Sequence, residues 1–283
     1  MYKTKILGLI RLFRFELPFT AGVCVILGQL LALGKFPAAK GMLLGFLSVF
    51  FISAAALIVN DIFDIETDKI NAPERPLPAG SVTKQEAIIL SIAVTLLGLI
   101  TAYLIDLRVL WVACLVWVVG FLYNWRFKKT GIWGNLMVSF SVGMTFIFGG
   151  IAVGRPFEKI VWLFGILALL INLGEEIAAD AMDMEGDRKT GSHSLPVVLG
   201  SEYALKISAV VFLLVILSSI LPFLFGWMEW VYAVPFFLMD AVIFYSTVKL
   251  LDSRSSNRRI YIRWVYLSAL VAILTVIVIR LFR

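Results

Sequence analysis

The twenty residues GMLLGFLSVFFISAAALIVN, positions 41–60, carry no charge, and the next eight, DIFDIETD, positions 61–68, carry four acids. An uncharged run of that length reads as a membrane-crossing helix, since about 20 residues rising 1.5 Å each match the roughly 30 Å hydrocarbon layer. The acids mark where that helix leaves the bilayer. They follow a ruler, Asp61, Asp64 and Asp68, that the chain repeats at Asp180, Asp183 and Asp187, with Glu176 four residues ahead of the second copy. Residues three, four and seven apart share one face of a helix, so each triplet is expected to aim its carboxylates in one direction. Left alone, such groups repel and raise one another's pKa values, which calls for a bound cation. Aspartates without Cys or His beside them favour hard ions, Mg2+ foremost. Magnesium also recruits phosphate oxygens, so the expected ligand is a phosphorylated substrate bridged by metal to both triplets. A pair of solvated acidic loops is the competing reading, and the repetition argues against it.

Outward from this stretch, the chain is 61% hydrophobic and 16% charged with mean hydropathy +0.96, which excludes a soluble globular enzyme. Spanning runs are expected at 17–34, 41–60, 87–105, 109–125, 130–154 and 207–228, with three more at 160–180, 230–251 and 260–281. Nine spans joined by short connections make one all-α polytopic domain over residues 1–283. With the N-terminus cytoplasmic, only Lys35, Lys40, Arg108, Arg155, Lys159, Arg280 and Arg283 of the 25 basic residues fall outside; Lys3, Arg254 and the rest fall inside. That bias puts both aspartate triplets and Arg126, Lys128 and Lys129 on the cytoplasmic side of the cell membrane. The net charge of +6 follows from the same topology and implies no nucleic acid.

Residues 1–16 interleave Ile6, Leu7, Leu9, Ile10 and Phe13 with Lys3, Lys5, Arg11 and Arg14, as an amphipathic helix on anionic headgroups would, and this segment is also placed to cap the site. A signal peptide cleaved near Ala32–Gly34 is the alternative, but the apolar run is longer than its usual core. Cys24 and Cys114 lie in apolar runs and read as packing residues. His193, the single histidine, reads as a surface loop residue near the substrate entrance.

Each triplet is followed by basic residues and a Pro and Gly turn: Lys69, Arg75, Pro76 and Gly80 after the first, Arg188, Lys189, Pro196 and Gly200 after the second. The two halves look like a divergent duplication. Arg75, Lys69, Arg188 and Lys128 are the candidates for phosphate oxygens, set against the topology that explains basic loops generically. Asn135 and Ser139 either line the interior or join neighbouring helices. Asp240, deep in the eighth span, is functional by default unless a polar neighbour pairs with it.

The run Asn60 to Asp68, the stretch Arg75-Pro76-Leu77-Pro78-Ala79-Gly80 and the motif from Asp180 to Asp187 together resemble the UbiA superfamily of intramembrane prenyltransferases. The resemblance covers nearly the whole chain. It implies nine helices around an apolar central cavity, with Asn60, Asp64, Asp68, Asp183 and Asp187 holding Mg2+ and prenyl pyrophosphate and Asp61 and Asp180 adjoining. Tyr123 and Lys128 look like a further family motif, except that the lysine follows five residues on, where several members have four. Glu16 stands where many members carry Asn, so that role is not carried over. The stretches 71–76 and 180–188 look most like the archaeal ether-lipid branch, which adds a second geranylgeranyl group to geranylgeranylglyceryl phosphate. Quinone-forming relatives, with an aromatic acceptor, share much of this pattern. From another class, a cation transporter also fits acidic motifs on duplicated halves, but its site belongs near mid-bilayer.

For prenyl transfer the metal and basic residues are expected to stabilise the departing pyrophosphate, while aromatic faces shelter an allylic cation by roughly 0.5–2 kcal/mol each. The acceptor's proton passes either to a motif carboxylate, with Asp68 a candidate, or to the released pyrophosphate.

Overall fold

The computed structural model describes residues 2–189, 191–252 and 257–282; Arg254 and Arg283, counted in the charge distribution, lie outside them, as does the Lys3 side chain. Among the described residues all regular structure is helical. The helices are α1 (Tyr2–Arg11), α2 (Glu16–Leu33), α3 (Ala39–Phe63), α4 (Ile65–Asn71), α5 (Lys84–Tyr103), α6 (Leu107–Leu122), α7 (Ile132–Ala152), α8 (Lys159–Lys189), α9 (Leu195–Leu199), α10 (Ser201–Leu224), α11 (Ala233–Leu251) and α12 (Arg258–Phe282). A π-helical turn, Tyr123–Phe127, extends α6, and a 3-10 turn, Trp230–Tyr232, leads into α11. Nine helical segments among the described residues are long and apolar enough to cross a membrane, and they coincide with the nine runs read from the sequence. Their ends differ most at α8, which continues for nine residues beyond position 180.

The chain divides into two compact units. The first comprises residues 1–29, 37–127 and 145–156; the second comprises 30–36, 128–144 and 157–283. The first aspartate triplet belongs to one unit and the second to the other.

In the first unit α3 packs on α5 and α6. On α5 the small residues point inward and the large ones outward: Ala87, Ser91, Gly98 and Ala102 are buried, while Ile89, Ile92, Leu96 and Ile100 are exposed. A soluble helix buries its large apolar side chains, whereas in lipid the small ones face the neighbouring helix and let the backbones approach. Accordingly Ser48 donates to the Gly98 carbonyl at 3.0 Å across the α3–α5 contact. A Thr83–Glu86 capping box opens α5. Residues 1–16 are not one continuous helix. Ile6, Leu7 and Ile10 stay exposed, as expected at a headgroup surface, but Leu12 is fully buried with Ala55, Ile58 and Val82, and Lys5 pairs with Glu86.

Backbones of α2 and α7 approach closely in this unit. A Cβ on Gly149 would strike the Val25 carbonyl and the Gln29 nitrogen, and one on Gly28 would strike the Phe146 backbone. Backbone atoms cannot rotate aside. Gly149→Ala is therefore expected to destabilise the protein by about 1–3 kcal/mol, while Gly41→Ala, where a Cβ meets nothing within 4 Å, stays neutral. Thermal unfolding in detergent reads both, and equal melting temperatures would refute this account of the crossing.

In the second unit α8 packs on α10, α10 on α11 and α11 on α12. Ser208 donates to the Gly174 carbonyl at 2.6 Å, again where a small residue lets helices close. Asp240 accepts from Ser219 at 2.6 Å, so the acid deep in the eighth span has a polar neighbour on α10.

Candidate active site

Helix α3 delivers Asp61 to the end of its span and then bends. Asp64 sits at the bend with φ −90° and ψ 2°, and the hydrogen-bond ladder holds on either side: Asp64 N–H donates to the Asn60 carbonyl at 3.0 Å and Asp68 N–H to the Asp64 carbonyl at 2.8 Å. The first triplet therefore spans a kink, whereas the second lies in the unbroken α8.

Asp61 and Asp68 are buried, only 3% and 5% exposed, and such carboxylates need counter-charge. Two arginines supply it. Arg75 Nη1 donates to both Asp68 oxygens at 2.8 and 2.7 Å and lies 3.8 Å from Asp61 Oδ1, and Arg14 Nη2 donates to Asp61 Oδ1 at 2.5 Å. The loop after α4 turns Arg75 back toward these acids. Ala79 N–H bonds to the Arg75 carbonyl, Ser81 and Val82 N–H to that of Pro76, and Gly80 takes the φ of +69° the turn requires. Burial alone works against the Arg75 charge, but the hydrogen bond to Asp68 and the fields of Asp68, Asp61 and Asp64 outweigh it and raise its pKa above the ordinary arginine value.

Arg14 was expected as one of the basic residues of the amphipathic segment and the cytoplasmic charge bias, with no role of its own at the site. It has φ 44°, sparsely populated for a side chain of this kind, at the break between α1 and α2, and its guanidinium reaches Asp61. Lys69, a phosphate candidate, is exposed and donates to Glu66 at 2.8 Å. Asn60 Nδ2 donates to Asn124 Oδ1 at 2.7 Å, and Asn124 Nδ2 donates to the Ala56 and Gly120 carbonyls at 3.1 and 3.0 Å. This buried asparagine, not singled out in the sequence, fixes which atom of Asn60 faces it and so turns the carbonyl oxygen toward the other side. It sits in the π turn Tyr123–Phe127, and such turns take up one extra residue.

In the second unit, Asn135 Nδ2 donates to Asp180 Oδ2 at 2.9 Å. A polar thread continues from it through the membrane-embedded faces of three helices. Ser139 Oγ bonds to the Asn135 carbonyl at 2.7 Å and to Asn172 Oδ1 at 3.1 Å, Asn172 Nδ2 donates to Tyr266 Oη at 3.0 Å, and Tyr266 donates to Glu175 at 2.8 Å. Asn135 and Ser139 thus join neighbouring helices of their unit. Asp183 is exposed and accepts from Arg259 at 2.5 Å. The Asp187 carbonyl accepts from Ser192 N–H at 3.0 Å where α8 ends, and Arg188 is exposed in its last turn. Lys128 is half-buried ahead of α7. His193 is exposed, as expected of a loop residue, and its N–H donates to the Lys129 carbonyl.

The family model described as the UbiA prenyltransferase family matches residues 21–270. The chain belongs to that family. It is 36% identical over 238 residues to the digeranylgeranylglyceryl phosphate synthase of Thermococcus kodakarensis, covering 83% of each chain. A solved structure of a digeranylgeranylglyceryl phosphate synthase superposes with a TM-score of 0.88 at 30% identity, over 99% of both chains. The UbiA homolog from Archaeoglobus fulgidus solved with GPP and Mg2+ shares the fold, with a TM-score of 0.69 at 19% identity over 98% of this chain and 100% of that one.

The side chains of the two acidic motifs are oxygen donors, the chemistry that suits a hard divalent cation. Among the described residues no three acid, His or Cys side chains close into a ready metal cluster. Arginines hold the carboxylates, and the first motif already gathers Asp61 and Asp68 around one positive charge.

Proposed function

We propose that the chain transfers a geranylgeranyl group from geranylgeranyl diphosphate to the free hydroxyl of geranylgeranylglyceryl phosphate, with Asn60, Asp64, Asp68, Asp183 and Asp187 as ligands of Mg2+ and, through it, of the diphosphate. The observation that carries this reading is the paired aspartate motifs in a chain more than a third identical to a synthase of that name. In the reaction the allylic C1–O bond to diphosphate breaks, C1 bonds the acceptor oxygen, and the hydroxyl proton passes to a motif carboxylate or to the released diphosphate. When bound, Mg2+ supplies Lewis-acid stabilisation of the departing oxygens.

The chain's own part is to hold and shelter. Asn124 holds the Asn60 side chain in place through the hydrogen bond from Asn60 Nδ2. Asp68 would help hold the metal when it is bound, and Arg75, paired with Asp68 here, carries the planar donors suited to a phosphate oxygen of the diphosphate. Arg14 stays on Asp61, so that this buried acid keeps a counter-charge throughout. Arg259, paired with Asp183 here, has the planar donors suited to the phosphate of the acceptor.

The test uses detergent-purified protein with labelled geranyl, farnesyl and geranylgeranyl diphosphates against geranylgeranylglyceryl phosphate and an aromatic acid acceptor. The expected product has the mass of the doubly geranylgeranylated glycerol phosphate, formed with Mg2+ and lost with chelator. A prenylated aromatic product in its place would assign the chain to the quinone-forming reaction.

A further inference from the structure

The second unit carries another polar site, at the end of α8 opposite its acidic motif. A cavity of about 360 Å³ opens there between the start of α8, the turn after α10 and the end of α12, lined by Glu158, Lys159, Leu163, Phe225, Trp227 and Arg280. From Lys159 to Asp180 the helix is continuous, a rise of about 30 Å. That is the thickness of the hydrocarbon layer, so cavity and motif face opposite sides of the membrane. Prenyl transfer makes no use of it.

Its groups are arranged for an anion. Lys159 Nζ stands 5.3 Å from the centre of the Trp227 ring, and Arg280 approaches Glu158 only to 4.0 Å, too far for a hydrogen bond. Arg280 Nε is buried and has no hydrogen-bond partner among the described residues. A cation that simply snorkels to the surface keeps its donors in water, and this Nε is kept out of it. Gly34 makes room for it: a Cβ there would come within 3.2 Å of that nitrogen. Two cations outnumber one carboxylate, and the positive end of the α8 dipole adds to them, with Val161 and Trp162 N–H bonded to the Glu158 carbonyl. Leu163 and Phe225 continue the wall in apolar material.

We propose that this cavity binds a phosphate-bearing anion, with the phosphate between Arg280 and Lys159, and that its natural source is the headgroup of an anionic membrane lipid whose chain runs along Leu163 and Phe225. Arginine's fork fits phosphate oxygens, lysine adds a point charge, and an interfacial tryptophan is at home at headgroup depth.

The test is thermal unfolding and native mass spectrometry of the full chain in an uncharged detergent, with phosphatidylglycerol, phosphatidylcholine or inorganic phosphate added. Phosphatidylglycerol is expected to raise Tm by about 5 °C and to remain bound as a single adduct, while net-neutral phosphatidylcholine does neither. Arg280→Gln and Lys159→Gln are expected to abolish the shift; Lys159 is exposed, so its variant carries the test should Arg280→Gln fail to fold. An equal shift with inorganic phosphate supports the anion site and names a free ion as its occupant. No shift from any phosphate, or a shift that survives Lys159→Gln, overturns the proposal.

Discussion

Asp68→Asn is expected to lower kcat by about 10³-fold while helix content and detergent solubility stay unchanged. The substitution is isosteric, and the remaining carbonyl oxygen can still accept from Arg75, so the α4 loop keeps its turn. What disappears is charge. Arg75 now loses the strongest of the three carboxylate fields around it, and Mg2+ loses an anionic oxygen at the first motif. If Asp68 acted only as a structural partner of Arg75, activity would fall in step with stability. If it is a ligand, the loss appears at constant Tm, and activity recovers partly as Mg2+ is raised. Full turnover at ordinary Mg2+ would remove Asp68 from the ligand set. Arg75→Lys separates the partner's role: a lysine keeps the ion pair but lacks the planar donors, so the KM for the diphosphate should rise far more than Tm falls.

The fold was legible because hydropathy alone marks a span, and the run 230–251 matches Trp230–Leu251 residue for residue. The end of α8 was not. Hydropathy stops at Asp180, yet the helix continues through the acids to Lys189, since a polar helical turn outside the bilayer has no apolar signature. At the site, the carboxylates could be read from their spacing, and Arg75 from its place after the motif. Arg14 and Arg259 could not, because their partners lie 47 and 76 residues away and positive-inside topology already accounts for basic residues in such segments. Asn124 and the Asn135–Asp180 bond were hidden for the same reason, being tertiary pairings with no local pattern. The kink at Asp64 breaks the symmetry that an identical ruler in both halves suggests, since the spacing of side chains says nothing of where the backbone bends.

Arg14→Ala is expected to destabilise the protein by about 2–4 kcal/mol, because it leaves Asp61 buried with its nearest counter-charge 3.8 Å away at Arg75. The lower end of the range applies if Arg75 shifts toward Asp61, which it can do only by loosening its hold on Asp68. A double-mutant cycle with Asp61→Asn decides whether the pair is the cause: the asparagine should restore most of the lost stability, with an interaction energy of about 1–3 kcal/mol. Magnesium gives a second, independent reading. If the first motif gathers its carboxylates to hold a cation, Mg2+ should stabilise Arg14→Ala more than the unmodified chain, where a guanidinium already serves Asp61. Equal stabilisation of both would mean that the metal sits away from this acid, and that Arg14 fixes the N-terminal segment without sharing in the charge balance of the site.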